Sequence, residues 1–352
     1  LAVLVNPIER PLKAAFFFIP QLKDMHIGII GQGFGGSALA WQLQQVGHAV
    51  TVFDRGIEQS ASWMASGLIN PVTLRRRKVV QQAQMHLNAM QTYYESVEAS
   101  LGQGLLNMDS IREVLIGSQA TEDWGQLADI KALKPFIGPC HEADHQGIQH
   151  SHVGQVQHSG RLHSKAYLKA MATHLGEQLI HGQVDHIERE GKGWMVSGHK
   201  VDALILAEGV QAQWTNYFFG ELPFAASRGE GLTIAWDGEA MHHPYHQSHF
   251  LLPEGGSMAK LGATYSWDKF NDPPSKAARL ELLDGLKPWF SMPGLRVVDQ
   301  WVGIRPTMKD RIVRLGWHGV ESNLGYLNGL GSRGAMTAPY WAKKLITAAP
   351  WA

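Results

Sequence analysis

The chain has 352 residues, 44% of them apolar, with 31 Lys+Arg against 31 Asp+Glu and 18 histidines. That is enough apolar material for two domains or one large α/β unit, and a net charge of zero gives no long-range attraction to a polyanion such as tRNA. The single cysteine, Cys140, excludes an internal disulfide and fits a reducing, cytoplasmic compartment, and no apolar run reaches the roughly 18 residues of a membrane span.

Residues 1–24 carry only a short apolar run, Ala14 to Ile19, interrupted upstream by Glu9, Arg10 and prolines. A secretory signal needs a longer run and a small-residue cleavage site. The segment is expected to be an upstream extension, loosely held or disordered. A nucleotide-binding pattern starts directly after Met25. The strand His26 to Ile30 runs into Gly31-Gln32-Gly33-Phe34-Gly35-Gly36, a helix follows, and a second strand from Ala49 ends on Asp54. Gly31 permits the tight turn, Gly33 lets the backbone approach a pyrophosphate, and Gly36 allows close helix–strand packing. The helix N-terminus offers unpaired N–H groups and a partial positive charge. Asp54 stands 18 residues after Gly36, placed to accept from a ribose, where an arginine would suggest a 2′-phosphate. The alternative is a glycine-rich turn with no ligand. Leu39, Leu43 and Val46 form the apolar stripe of the helix, and Gly47 is expected to cap it.

After Arg55 the chain holds a loop rich in small residues, from Ser60 through Ser62 and Ser66 to Gly67, which suits close approach to a larger cofactor; an ordinary Ser/Gly connection is the alternative. Arg75-Arg76-Arg77-Lys78 is the one dense basic cluster, either a solvated face or a contact for an anionic partner. Residues 79 to about 135 are expected to be mostly helical. Residues 136–165 hold His141, His145, His150, His152, His158 and His163, but no HExxH, cysteine pair or carboxylate at a telling spacing. They are read as surface or core histidines, with no metal site.

A helix is expected to end at Leu175, and strand-like stretches follow. The run Val201 to Gly209 is a buried parallel strand by its nearly continuous apolar sequence, and carboxyl ends of such strands are where open α/β sheets bind ligands. A second nucleotide piece thus completes the first, across an insertion. From Ala225 to about Asp299, short turn-punctuated strands predict an antiparallel sheet. The end of the chain returns to glycine chemistry with GIRP at Gly303–Pro306, GLGSRG at Gly329–Gly334, and a closing helix whose positive N-terminus faces a ligand.

These motifs, with the loop SASWMASGLINP, the strand VDALILAEG, LGATYSW, VGIRPTMKD and GLGSRGAMTAP in this order, resemble the D-amino-acid oxidase superfamily of FAD-dependent oxidoreductases. The closing motif is most similar to the FAD domain of the bifunctional enzyme that completes 5-methylaminomethyl-2-thiouridine in tRNA. The resemblance implies an α/β fold: a discontinuous Rossmann-like FAD-binding domain over 25–80, 155–215 and 300–352, and a mainly antiparallel substrate domain over 81–154 and 216–299. It implies that Gly31, Gly33, Phe34, Gly35, Gly36, Asp54 (where relatives carry Glu), Arg55, Ser62, Ser66, Gly67, Val184 (a backbone contact to adenine), Ala207 and Gly209 hold FAD. Gly329, Gly331, Ser332, Arg333, Gly334, Ala335 and Met336 would face the flavin edge.

Arg305 matches the arginine that grips a substrate carboxylate, which a planar guanidinium does bidentately; an ion pair with Asp310 is the alternative. Arg333 either adds a second charge or braces its turn. Phe250 replaces a tyrosine frequent in relatives, so His249 or Tyr265 is expected to supply the missing polarity. Relatives that attach FAD covalently use a Cys near the last glycine turn or a His in the small-residue loop; here Cys140 is distant and Trp63-Met64 stand in the loop, so non-covalent FAD is expected. The implied reaction is oxidation of a C–N bond in a carboxylate-bearing amine, a small amino acid or N-alkyl glycine. The alternatives are an oxidase acting on a carboxymethylaminomethyl group of tRNA, and a flavin-binding electron-transfer or assembly subunit.

Overall fold

A computed structural model describes residues 24–268 and 270–351, so the expected upstream extension, apart from Asp24, lies outside the described residues. The first of two large sheets has six strands in the order Leu179–His181, Ala49–Asp54, His26–Ile30, Ala203–Leu206, Leu324–Asn328 and Arg314–Trp317. The first five are parallel and the last is antiparallel. Ala203–Leu206 has parallel neighbours on both sides and four fully buried residues. A strand buried on both faces needs an unbroken apolar run, which Ala-Leu-Ile-Leu supplies.

Alternation along the strands separates two cores. Ile27, Ile29, Val50, Val52 and Ile205 point toward the helices Phe34–Gln45 and Gly334–Thr347, which pack on each other. Ile30, Phe53, Leu204 and Leu206 point the other way, against Ile187, Trp194 and Val196 of a three-stranded sheet. Helices cover one face of the parallel sheet and a small antiparallel sheet covers the other.

The second large sheet has eight strands in the order Arg296–Arg305, Ser227–Ala235, Met258–Gly262, Phe250–Pro253, Tyr245–His246, Ile111–Leu115, His152–Val156 and Ile137–Glu142. All neighbours are antiparallel except Tyr245–His246 with Ile111–Leu115. Leu232, Ile234, Leu251 and Leu261 bury one face under Leu282 and Leu286 of the helix Lys276–Leu286. The opposite face turns toward the dinucleotide half, where Phe250 joins its core and Met64 sits over Gly303.

Several sequence expectations are corrected. Residues 79–135 hold one long helix, Ala83–Leu101, ended by Gly102 at φ +65°, followed by the strand Ile111–Leu115 and the helix Ser118–Leu127. That long helix packs on Gly334–Thr347 rather than on the antiparallel sheet, because Leu87, Met90, Tyr93, Tyr94 and Val97 form its buried stripe. The helix Lys276–Leu286, capped by the Ser275 hydroxyl accepting from the Ala278 N–H (3.1 Å), lies in a stretch expected to be all strand. Arg296–Arg305 pairs continuously with Ser227–Ala235, so a boundary at residue 300 falls inside one strand. Among the described residues, no helix is long and apolar enough to cross a membrane.

Candidate functional site

The glycine loop leaves the carboxyl end of His26–Ile30 and packs too tightly for any side chain. Gly31 has φ +102°, and a Cβ there would lie 2.5 Å from the Ala207 carbonyl oxygen; a Cβ on Gly36 would collide with the Gly31 carbonyl. The first-turn N–H groups of Gly35 and Gly36 lack intrahelical acceptors by position and face the cradle this leaves. Asp54 ends the adjacent strand with its carboxylate held by two backbone donors, Gln32 N–H and Gly56 N–H, both at 2.7 Å. A carboxylate has lone pairs left for ribose hydroxyls. Arg55 is exposed, beside the side-chain amide of Gln211.

The small-residue loop folds onto this cradle. The Ser62 hydroxyl accepts from the Phe34 N–H at 3.0 Å, joining the two segments. Gly67, at φ +72°, packs against the backbone of Leu162, and the Ser66 carbonyl accepts from buried Arg161 (2.9 Å). The C-terminal turn closes the third side, with Gly334 against the Phe34 ring and Leu330 against Gly35. The Asn328 side chain ties the turn to the sheet, donating to the Gly209 carbonyl (2.9 Å) and accepting from the Gly329 N–H (2.7 Å). Ala335 and Met336 are buried in the first turn of the last helix. Gly31–Gly36, Asp54, Ser62, Gly67, Ala207, Gly209 and Gly329–Gly334 therefore converge at the carboxyl ends of neighbouring parallel strands. A cradle floored by glycine, with free N–H groups and one carboxylate, fits a dinucleotide cofactor.

Arg305 ends its strand at the edge of this cradle. Its guanidinium lies flat over Gly229, where a Cβ would sit 2.5 Å from Cζ, and the Tyr265 ring covers it at 4.2 Å. Its nitrogens reach only the Thr264 carbonyl, at 3.5 Å. Burial pushes its pKa below the usual guanidinium range, and Tyr265 works against that shift. The Asp310 alternative is excluded, because Asp310 pairs with Arg314 at 2.5 Å. Arg333 donates to the Thr73 hydroxyl (2.8 Å), and burial likewise pushes its pKa down, opposed by Tyr265 and reinforced by Arg311. Ser332 is exposed beside it. Among the described residues, neither Arg305 nor Arg333 has a carboxylate within ion-pair distance.

One expected site residue sits elsewhere, and another has part of its backbone already engaged. Phe250 faces the cleft, so its neighbour His249 must face away: its Nδ1 lies against Gly285 of the covering helix and its Nε2 is 3.9 Å from Glu281. His249 therefore cannot replace the missing tyrosine hydroxyl. Val184 is buried with its carbonyl accepting from Trp214 Nε1 (3.0 Å), leaving only its N–H for a ligand. The sequence reading also missed what fixes the cradle from behind. The Tyr94 hydroxyl donates to the Ala335 carbonyl (2.8 Å), and Tyr93 bonds to Tyr167 (2.7 Å) and reaches the Ser37 carbonyl (3.4 Å). The helix Ala83–Leu101 thus touches the first turns of both Phe34–Gln45 and Gly334–Thr347, which start at the cradle.

A family model described as FAD dependent oxidoreductase (DAO) matches residues 26–348. Glycine oxidase of Bacillus subtilis (strain 168) is 26% identical over 186 residues, 50% of this chain and 49% of that protein. The tRNA 5-methylaminomethyl-2-thiouridine biosynthesis bifunctional protein MnmC of Legionella pneumophila is 30% identical over 328 residues, 84% of this chain and 46% of that protein. The chain thus spans about half the length of these two relatives. The crystal structure of glycine oxidase from Bacillus cereus ATCC 14579 shares the fold, with a TM-score of 0.74 at 18% identity over 92% of this chain and 95% of that one. With a glycine cradle of the right chemistry and a family match across nearly the whole described chain, this protein belongs to the DAO family of FAD-dependent oxidoreductases.

Proposed function

We propose that the chain oxidises the C–N bond of an amine that carries a carboxylate, a small amino acid or an N-alkyl glycine. The observation that carries this reading is Arg305: a guanidinium at the cradle's edge, seated on Gly229, covered by Tyr265 and, among the described residues, left without a protein carboxylate. A half-buried cation without a counter-charge is costly, and a bidentate substrate carboxylate removes that cost. Gly31–Gly36, Asp54, Ser62, Ser66, Gly67, Ala207, Gly209 and Gly329–Met336 would hold FAD, with Val184 contributing its N–H. Trp63 and Met64 in the small-residue loop, and Cys140 on the outermost strand of the eight-stranded sheet, support non-covalent attachment.

When bound, FAD would supply a hydride acceptor for the carbon beside the amine nitrogen, and the resulting imine would be hydrolysed by water. The chain's own contribution is placement. Arg305 fixes the carboxylate and thereby the carbon one bond away, Tyr265 keeps the guanidinium from swinging out, and Phe250 presents an apolar wall. Positioning of this kind supplies a large part of the rate in such reactions. The N-terminus of Gly334–Thr347 and Arg333 add positive potential that favours arriving negative charge. The test is anaerobic bleaching of the flavin absorbance by a panel of amines. Bleaching by carboxylated amines but not by their decarboxylated analogues is expected; no bleaching by any amine sinks the reading in favour of an electron-transfer or assembly role.

One observation supports a second reading, an oxidase acting on a carboxymethylaminomethyl group of tRNA. Arg75, Arg76, Arg77 and Lys78 are exposed on the hairpin Val72–Thr73/Lys78–Val79, and Thr73 of that hairpin holds Arg333. The basic cluster therefore stands beside the site rather than on a remote face. A steep fall of tRNA binding with salt is expected on this reading, and salt-independent or undetectable binding removes it.

A further inference from the structure

Strand register places a second polar group on the cleft face of the eight-stranded sheet. Trp301 pairs with Gly231, Gly231 with Gly262, Gly262 with Phe250, Phe250 with His246 and His246 with Glu113. Directly paired residues point to the same face, so Phe250, His246 and Glu113 form one row on the side where Phe250 meets the dinucleotide core. Their contacts agree. The His246 ring lies 4.2 Å from the Phe250 ring, and its Nδ1 hydrogen-bonds a Glu113 carboxylate oxygen. His246 is 8% exposed, and among the described residues its Nε2 has no hydrogen-bond partner. That nitrogen is left free to accept a hydrogen bond. Glu113 and Gln247, but not His246 itself, line a neighbouring cavity of about 270 Å³ with Val72, Leu74 and Trp124.

A carboxylate bound to Nδ1 fixes the imidazole's tautomer and ring plane and leaves Nε2 as the acceptor. The distance to Arg305 follows from the sheet. The guanidinium rests over the strand Ser227–Ala235, and Tyr245–His246 lies three strands farther across, roughly 14 Å at about 4.8 Å per strand. Phe250 lies between them, a flat apolar surface. A carboxylate, an amine and an aromatic ring ending in a hydrogen-bond donor, laid end to end, span this row.

We infer that His246, oriented by Glu113, is the specificity-determining residue for the far end of the substrate, and that the site takes an N-substituted glycine whose N-substituent is a planar ring carrying a hydrogen-bond donor. The inference rests on the carboxylate role of Arg305. His246 is a recognition residue here, and Glu113 a positioning residue acting through it.

The experiment compares N-(4-hydroxybenzyl)glycine with N-benzylglycine on the FAD-loaded protein, by kcat/KM for anaerobic flavin reduction. The hydroxybenzyl compound is expected to be preferred about tenfold, the worth of one buried hydrogen bond. His246→Phe brings the ratio to about one, with the loss in KM, while His246→Gln and Glu113→Gln give intermediate ratios. A wild-type ratio of one or below overturns the inference, as does a preference that survives His246→Phe at full FAD content. Should His246→Phe fail to fold, the wild-type ratio and Glu113→Gln still decide. If neither compound reduces the flavin, or Arg305→Lys leaves both rates unchanged, the carboxylate reading fails, and this inference with it.

Discussion

The Arg305 guanidinium carbon lies 4.2 Å from the centre of the Tyr265 ring, and this contact replaces the ion pair a buried arginine ordinarily makes. A cation over an aromatic face is held without being neutralised, so its hydrogen-bonding edge stays available. Tyr265 is 59% exposed, which leaves the pair open to the cleft mouth. Arg305→Ala should therefore reduce kcat/KM for carboxylated amines by about 100-fold, close to the 3 kcal/mol of a charge-assisted hydrogen bond. Its effect on amines lacking a carboxylate should be small. Equal losses for both substrate types would remove Arg305 from carboxylate binding. Tyr265→Leu, which keeps bulk but no ring quadrupole, should raise KM several-fold through the same group.

Gly229 tests the same site from beneath. A Cβ at this position falls on the guanidinium, 2.5 Å from Cζ. Gly229→Ala must therefore displace Arg305, and because the glycine is in the eight-stranded sheet, it leaves the FAD cradle untouched. The expected outcome is unchanged FAD content with a KM for the carboxylated amine raised about tenfold or more, on the scale of one strong polar contact. A variant that loses FAD but keeps its KM would mean that Gly229 serves the sheet rather than the arginine.

The cofactor cradle was the most legible part of the chain, and the reason is physical. A pyrophosphate needs close backbone approach, so Gly31, Gly33 and Gly36 are forced within six residues and Asp54 at a fixed distance beyond. Such local constraints leave a local signature. Facing partners were not legible. The amphipathic pattern of Ala83–Leu101 reports that one stripe is buried but not against what, so its docking on Gly334–Thr347 had no sequence signal. His249 failed on parity: whether it or Phe250 faces the cleft depends on strand register. The Glu113–His246 pair is 133 residues apart and meets only through parallel pairing of two short strands.

Gly36→Ala asks whether the cradle depends on the absence of a side chain. The added methyl would overlap the Gly31 carbonyl oxygen, and neither atom can move without shifting the strand or the helix. Purified variant protein should be colourless and stay so after incubation with FAD. It should also melt several degrees lower, consistent with about 2 kcal/mol of overpacking. A yellow variant of unchanged stability would contradict the packing.

Tyr94 carries the corresponding prediction for the C-terminal turn. Its hydroxyl is the buried donor to the Ala335 carbonyl, in the first turn of the last helix. Residue i+4 of that carbonyl is Pro339, which has no N–H to donate, so Tyr94→Phe leaves it without its donor and a loss of about 2 kcal/mol is expected, seen as a lower melting temperature. Because Ala335 belongs to the turn proposed to face the flavin, FAD affinity should fall as well. A change in melting temperature without any change in FAD affinity would confine Tyr94 to packing.

His86 gives the pH dependence of the helix contact that supports the cradle. It is buried in Ala83–Leu101 against the rings of Tyr340 and Trp341, and burial pushes its pKa from the ordinary 6.5 down to about 4. The sign follows from the protonation states. In the folded protein the neutral ring is favoured, while the unfolded chain takes up a proton near pH 6.5, so the unfolded state binds more protons between those values. Stability from this group is complete above about pH 6.5 and falls as pH drops toward 4, by up to about 3 kcal/mol at 1.36 kcal/mol per unit. Melting temperatures between pH 7.5 and 4.5 should decline in the wild type and decline less in His86→Leu, which fills the same space without a titrating nitrogen. Identical slopes for the two proteins would mean that acid acts elsewhere, on carboxylates such as Glu230, whose pKa burial raises but the Ser275 and Arg228 hydrogen bonds lower further, to a net value below the usual range.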